Sequence, residues 1–210
     1  MKIEEYSFRQ LHHNYVLIKD VGDRFHMYNT EFQCIEGDNS LLTYGYIDHS
    51  AGLTFEILCF AKKSENGGIE LRPGNDNTSF KIRYDGMLGE IEVIPYDIRL
   101  MEFQAKVDMI DKGYRGSYEL ELIRKHTPID ADRDKQFPDD VCAYLIKSGV
   151  RSEKIWVRTQ TIMDGKVAGV LMNEPLSAAF GLKRGDVVKL VSVPVQGGMV
   201  TVIETPDIYG

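Results

Sequence analysis

Residues 153–171, EKIWVRTQTIMDGKVAGVL, read as two strands folded about Asp164-Gly165. Both turn positions accept positive φ, the condition for a two-residue hairpin turn whose twist matches its strands. With that turn as the axis, Trp156 falls opposite Asn173, Val157 opposite Met172 and Arg158 opposite Leu171. Trp156, Arg158 and Gln160 then share one strand face with Leu171 and Asn173. A second hairpin follows, DVVKLVSVPVQ and MVTVIE joined at Gly197-Gly198. The C-terminal part of the chain is therefore predicted as antiparallel β-structure.

Upstream of the first hairpin, PDDVCAYLIKSG (138–149) has the marks of a helix. Pro138 suits the first helical position, Asp139 and Asp140 complement the positive end of the dipole, and Gly149 stands where the helix would stop. Val141, Tyr144 and Leu145 give it an apolar stripe. Before it, HTPIDADRDKQF is polar, contains Pro128 and separates unlike regions, so residues 127–137 read as a linker. The run from Asn173 to Leu190 reads as a strand end at Asn173-Glu174-Pro175 and a short helical turn ending at Gly181. Gly185 then supplies a tight turn, and Asp186 enters the last hairpin.

The first 126 residues are dominated by strand patterns. LLTYGYI and LTFEILCFAKK flank the hairpin loop DHSAG, and FKIRY and MLGEIEVI surround Asp85-Gly86. Met101, Phe103, Ala105, Val107 and Met109 alternate with charged and polar residues, a period of two that predicts a strand, with a helix over 98–111 as the alternative. Tyr118, Leu120 and Leu122 continue the alternation. NYVLIKD and RFHMY read as short strands about the turn Asp20–Asp23, and SFRQLHH as a short helix or irregular segment. The polar run PGNDNTS reads as a loop. The fold class predicted is α+β: a strand-rich antiparallel N-terminal domain over residues 1–126, the linker, and a small C-terminal module of one helix and two β-hairpins over 138–210.

Composition narrows the function. Acids outnumber bases 32 to 25, for a net charge of -7. A nucleic-acid binder draws most of its affinity from neutralising phosphates, so no nucleic-acid partner is expected. Cys34, Cys59 and Cys142 are odd in number and set in apolar surroundings, which predicts reduced buried thiols and not a disulfide framework. The first residues hold no apolar run of signal-peptide length and no segment approaches a membrane span, so a cytoplasmic location without membrane contact is expected.

Motifs for catalysis are missing: no phosphate-binding glycine loop, no dinucleotide fingerprint and no nucleophile elbow occur. Asp130, Asp132 and Asp134 copy the first ligand positions of a calcium loop, but Lys135 replaces its glycine and Val141 its bidentate glutamate. The histidines, at 12, 13, 26, 49 and 126, lack the spacings that build zinc sites on one element, and adjacent His12 and His13 diverge in any regular structure. No metal and no cofactor are expected. Trp156, Arg158, Asn173 and Glu174, gathered at one end of the first hairpin, are the candidate ligand- or partner-binding residues.

The run from Glu153 to Val193 resembles the YegJ-like family of bacterial proteins of unknown function. The resemblance rests on Trp156-Val157, Asp164-Gly165, Gly169, Leu171, Asn173-Glu174-Pro175, Leu182-Lys183, Gly185-Asp186 and Val188. It covers about a fifth of the chain and departs from the family's acidic-Trp ending, where this chain has SVPVQGG. It implies a small α+β accessory module and carries no activity. The function expected is a non-catalytic protein-interaction or immunity-like role, with homodimer formation through exposed strand edges open to it. The alternative is a small-molecule-binding protein or enzyme with a site in the β-domain or between the domains.

Overall fold

A computed structural model describes residues 1–21, 35–73 and 79–205. The strand expected at 24–28, the Gly22-Asp23 half of the first turn, Cys34 and most of the loop at 73–79 lie outside the described residues. The described chain is strand-rich, with antiparallel sheets and few helices. It divides into two compact units, Met1–Arg115 and Gly116–Gly210. The division falls ahead of residues 127–137, which belong to the second unit.

In the first unit the strands are β1 (Tyr15–Ile18), β2 (Ser40–Asp48), β3 (Gly52–Lys63), β4 (Ile69–Leu71), β5 (Lys81–Arg83) and β6 (Ile91–Ile94). They form a six-stranded sheet in the order β4-β3-β2-β1-β6, and β5 also pairs with β3. The β2–β3 hairpin turns at the expected DHSAG loop, with Asp48 opposite Gly52. β4 and β5 run along the same edge of β3, at its end and its beginning, and act as one interrupted strand. Asp85-Gly86 is therefore no hairpin turn. It lies in a 3₁₀ turn over Tyr84–Gly86, and the strands on either side pair with β3 and β1.

Both faces of this sheet are covered, which is why β2 and β3 are buried almost throughout. Val16, Ile18, Leu41, Phe55 and Ile57 face Ile3, Leu11, Val21 and Met87 on one side. Tyr15, Leu17, Leu42, Tyr44, Tyr46 and Leu58 face Leu100, Phe103, Val107 and Ile110 on the other. Cys59 belongs to the second face, and burial pushes its thiol up to about 12, so it is inert in the folded chain.

The strand expected at 101–109 is helical. The chain makes a 3₁₀ segment over Ile98–Phe103, begun by the Asp97 carboxylate accepting from the Arg99 N–H at 2.8 Å. It continues as helix α2 (Gln104–Tyr114) after the short helix α1 (Phe8–Leu11) near the N-terminus. Phe103, Val107 and Ile110 recur at helical spacing and pack on the sheet, while Met101 and Met109 stay exposed. Lys106 shares the inward stripe and hid the period. Its ammonium lies 3.4 Å from the buried Glu56 carboxylate and donates to the Ile57 carbonyl at 3.2 Å. Residues 118–124, also expected to be extended, form helix α3 (Tyr118–Arg124), capped by the Ser117 hydroxyl accepting from the Leu120 N–H.

The second unit is built on β7 (Asp140–Lys147), β8 (Val150–Met163), β9 (Lys166–Leu171), β10 (Val187–Val195) and β11 (Gly198–Ile203). Each strand pairs antiparallel with the next, and the five close into a barrel. An odd number of up-and-down strands can close only through a parallel pair, and β11 does meet β7 in parallel at Val202 and Tyr144. The interior holds Val141, Ala143, Leu145, Ile155, Val157, Leu171, Val188, Leu190 and Ile203, with Ile123 of α3 and Ile129 packed against them. Ile129 lies in a 3₁₀ segment over Thr127–Asp132, so the expected linker is part of the barrel's covering.

The helix expected at 138–149 is thus strand β7, and the C-terminal module has no helix there. Its aspartates serve side chains distant in sequence instead of a helix end. Asp139 receives Arg124, and Asp140 receives Arg158 through Nε at 2.7 Å and Nη2 at 2.8 Å. Asp130, Asp132 and Asp134, the apparent calcium-loop fragment, accept from Arg133 Nε, the Thr201 N–H and the N–H groups of Gln136 and Phe137.

Candidate functional site

α3 leaves a cleft of about 460 Å³ against the β8–β9 turn and the β10–β11 hairpin. That size lies within the range of small-molecule pockets. Its walls come from Leu122, Ile123 and Pro128 on one side and from Ile162, Val167, Leu190 and Met199 on the other. Polar groups are few: His126, Lys166 and Ser192. Lys166 pairs with the carboxylate of Glu204, which neutralises it.

The strand register puts Ser192 in this wall. Leu190 pairs with Ile203, and both point into the barrel; two residues on, Ser192 pairs with Thr201 on the same face. The hydroxyls of Ser192 and Thr201 are buried and make no hydrogen bond among the described residues. Thr201 is fully enclosed, at 0% exposure. A buried hydroxyl without a partner costs on the order of 1–3 kcal/mol, so the Ser192 hydroxyl in the cleft wall is a place where a ligand's polar atom gains most.

The sequence-predicted residues lie elsewhere on the same barrel. Asp164 and Gly165 do make the β8–β9 turn, at φ 50° and 75°. The register differs by one from that expected: Val157 pairs with Leu171 and Arg158 with Val170. A bulge between Thr159 and Thr161 takes up the extra residue Gln160 and shifts everything beyond it. Leu171 is consequently an interior residue, on the face opposite Trp156. Trp156 stands on the outer face opposite Cys142, 38% exposed, with the Asp140–Arg158 pair two residues along.

Asn173 still meets Trp156, through its side-chain oxygen accepting the Trp156 N–H at 3.0 Å. Glu174 accepts the Arg184 N–H at 2.8 Å, and Asp186 accepts the Lys183 N–H at 2.9 Å. Gly181 ends the short helical turn and Gly185 makes the tight turn read from the sequence, both in left-handed conformations at φ 70° and 93°. Asn173 and Glu174 are therefore engaged in building the turn that leads into β10. Of the four candidates, Trp156 and Arg158 share the outer face, and none lines the cleft.

No family model matches the chain, and no curated protein or solved structure is significantly similar to it.

No motif marks Ser192 or Thr201 in the sequence. The available signal was phase: in Val188, Leu190 and Ser192 a hydroxyl follows two apolar residues on the inward side of one strand. What no local pattern carried was α3, whose packing beside that strand turns an ordinary serine into a cleft residue.

Proposed function

We infer that the protein is a ligand-binding protein and that its barrel takes a small, largely apolar, uncharged molecule with one hydrogen-bonding group. The observation that carries this reading is the buried Ser192 hydroxyl, without a hydrogen bond among the described residues, in the wall of a largely apolar cleft. An uncharged ligand is favoured because Glu204 already neutralises the cleft's lysine. The test is titration with N-phenyl-1-naphthylamine, a neutral apolar fluorophore with a single N–H. Saturable one-to-one binding is expected, lost when Met199→Trp fills the rim and weakened in Ser192→Ala. No saturable binding, or binding indifferent to Met199→Trp, would sink the proposal.

A second reading is favoured by the outer face of β7 and β8. There the half-exposed Trp156 lies between the Asp140–Arg158 pair and Lys154, whose ammonium sits 5.1 Å from the Tyr144 ring centre. Exposed tryptophan and arginine are the residue types that dominate protein interfaces. On this reading the chain is a non-catalytic interaction or immunity-like protein of a bacterial cytoplasm, and the YegJ-like resemblance belongs with it. Sedimentation of the isolated chain reads out the homodimer, and a Trp156→Ala variant that pulls down the same partners as the parent chain would remove this face from consideration.

A further inference from the structure

His12 and His13 do not diverge. His12 closes α1, and His13 follows in the left-handed conformation at φ 57°, a backbone state uncommon outside glycine and tolerated best by asparagine, aspartate and histidine. The kink is held by backbone on both sides: the His13 N–H donates to the Gly45 carbonyl at 2.8 Å, and the Gly45 N–H to the Asn14 carbonyl at 3.0 Å. The approach needs glycine, since a Cβ at position 45 would stand 2.2 Å from the Leu11 carbonyl oxygen. One consequence is that the two imidazoles face each other, ring centres 3.7 Å apart and planes inclined by 41°. A ring nitrogen of each lies within 4.8 Å of the other.

On the far side of the ring, His13 Nδ1 lies 2.9 Å from Asp111 Oδ1. The Tyr44 hydroxyl donates to the same carboxylate, 3.0 Å from Oδ1 and 3.1 Å from Oδ2. A carboxylate on Nδ1 selects the tautomer with the proton there and presents Nε2 as a lone pair. Nε2 makes no hydrogen bond among the described residues, and the ring is about one-third exposed, at 35%. Carboxylate behind, imidazole in front and a second imidazole alongside is the arrangement found behind metal-binding histidines.

We propose that His12 and His13 form a binding site for a divalent transition ion of borderline softness, such as Zn²⁺ or Ni²⁺, with Asp111 and Tyr44 orienting His13 from behind. Imidazole pairs suit these ions and not Ca²⁺ or Mg²⁺, which take oxygen ligands. Two nitrogens on one tetrahedral ion stand roughly 3.3 Å apart at ordinary Zn–N lengths, inside the 4.8 Å within which the two rings bring a nitrogen each. Water completes the coordination.

The test is calorimetric titration of the tag-free full chain with ZnCl₂ and with MgCl₂ at pH 7.5. Zinc is expected to bind one-to-one at micromolar concentration, and magnesium not at all. His12→Ala and His13→Asn should each weaken zinc by at least tenfold; asparagine is chosen because it keeps the left-handed backbone. Asp111→Asn should weaken it between about tenfold and a hundredfold. Circular dichroism melts establish that each variant is folded, and Tyr44→Phe, a milder change to the same support, stands in if Asp111→Asn is not. Absence of zinc binding, or equal affinity in folded His12→Ala and His13→Asn, overturns the site. Affinity unchanged in both Asp111→Asn and Tyr44→Phe overturns the supporting role assigned to them.

Discussion

Arg124 and Asp139 meet as a bidentate pair, Nε to Oδ1 at 3.0 Å and Nη2 to Oδ2 at 2.7 Å, with the arginine side chain only 3% exposed. The remaining guanidinium nitrogen, Nη1, donates to Glu121 at 2.7 Å. This pair joins α3 to the start of β7 and so sets one wall of the cleft. Removing one member of a buried pair strands the other charge, at a cost of about 3–5 kcal/mol. Arg124→Ala is expected to lose that much in urea unfolding. Arg124→Lys should recover little of it, because a single ammonium cannot satisfy both oxygens of Asp139 and also reach Glu121. A Lys variant as stable as the parent would show that charge alone matters here.

Gly169 faces the backbone of Arg158 so closely that a Cβ would stand 2.3 Å from the Arg158 carbonyl oxygen and 2.8 Å from its carbon. The neighbour is main chain in a paired strand and cannot turn aside. Gly169→Ala should therefore cost about 1–3 kcal/mol, as overpacking does, despite the smallness of the change. Thermal melting of Gly169→Ala against Gly165→Ala separates this crowding from turn strain, since a Cβ at Gly165 meets nothing within 4 Å.

Asp48, in the β2–β3 turn, accepts from the Ser50 hydroxyl at 2.7 Å, the Ser50 N–H at 2.9 Å and Arg83 at 3.2 Å. Burial alone would raise its carboxyl, but these donors prevail and hold it at about 2, below its usual value of 3.8. A depressed folded-state pKa stabilises at every pH above the unfolded value and is lost as pH falls through the folded one. The contribution, roughly 2 kcal/mol near neutrality, should thus fade between about pH 4 and pH 2. Unfolding free energies of the parent chain and Asp48→Asn should differ at pH 6 and converge towards pH 2. A constant gap across that range would contradict the assignment.

Ser192 and Thr201 carry unpaired hydroxyls, so removing both should relieve a cost instead of creating one. Ser192→Ala combined with Thr201→Val is expected to raise the stability of the free protein by about 1 kcal/mol while weakening the fluorophore of the ligand test. Loss of stability in the double variant would mean that the hydroxyls are satisfied in solution.

Three turn regions were legible because their chemistry is local, whereas at Asp85-Gly86 the flanking strands pair elsewhere and no hairpin forms. Asp164-Gly165 and the DHSAG loop carry their own φ requirements, and the GLKRGD run forms the two glycine turns and aspartate entry read from it. Helix and strand were confused wherever a polar residue's partner is remote. Asp139 and Asp140 resemble a helix N-terminus to any local reading, and only their partners Arg124 and Arg158 show them to be the entry to a strand; the inward alternation of Val141, Ala143 and Leu145 was the contrary signal. Lys106 broke the helical stripe of α2 because nothing near it in sequence announces Glu56. Likewise, adjacent histidines diverge in regular structure, and His13 escapes that rule through a left-handed kink docked on Gly45, thirty-two positions away.

By itself the sequence determined the strand-rich character, the main hairpins and the absence of local catalytic motifs, all properties of short-range backbone preference and composition. Tertiary structure decided the closure of the barrel, the one-residue shift at Gln160, the cleft beside Ser192 and the facing of His12 and His13. Each of these depends on which distant groups meet, and the energy of burying a charge or a hydroxyl is settled by the partner it finds there.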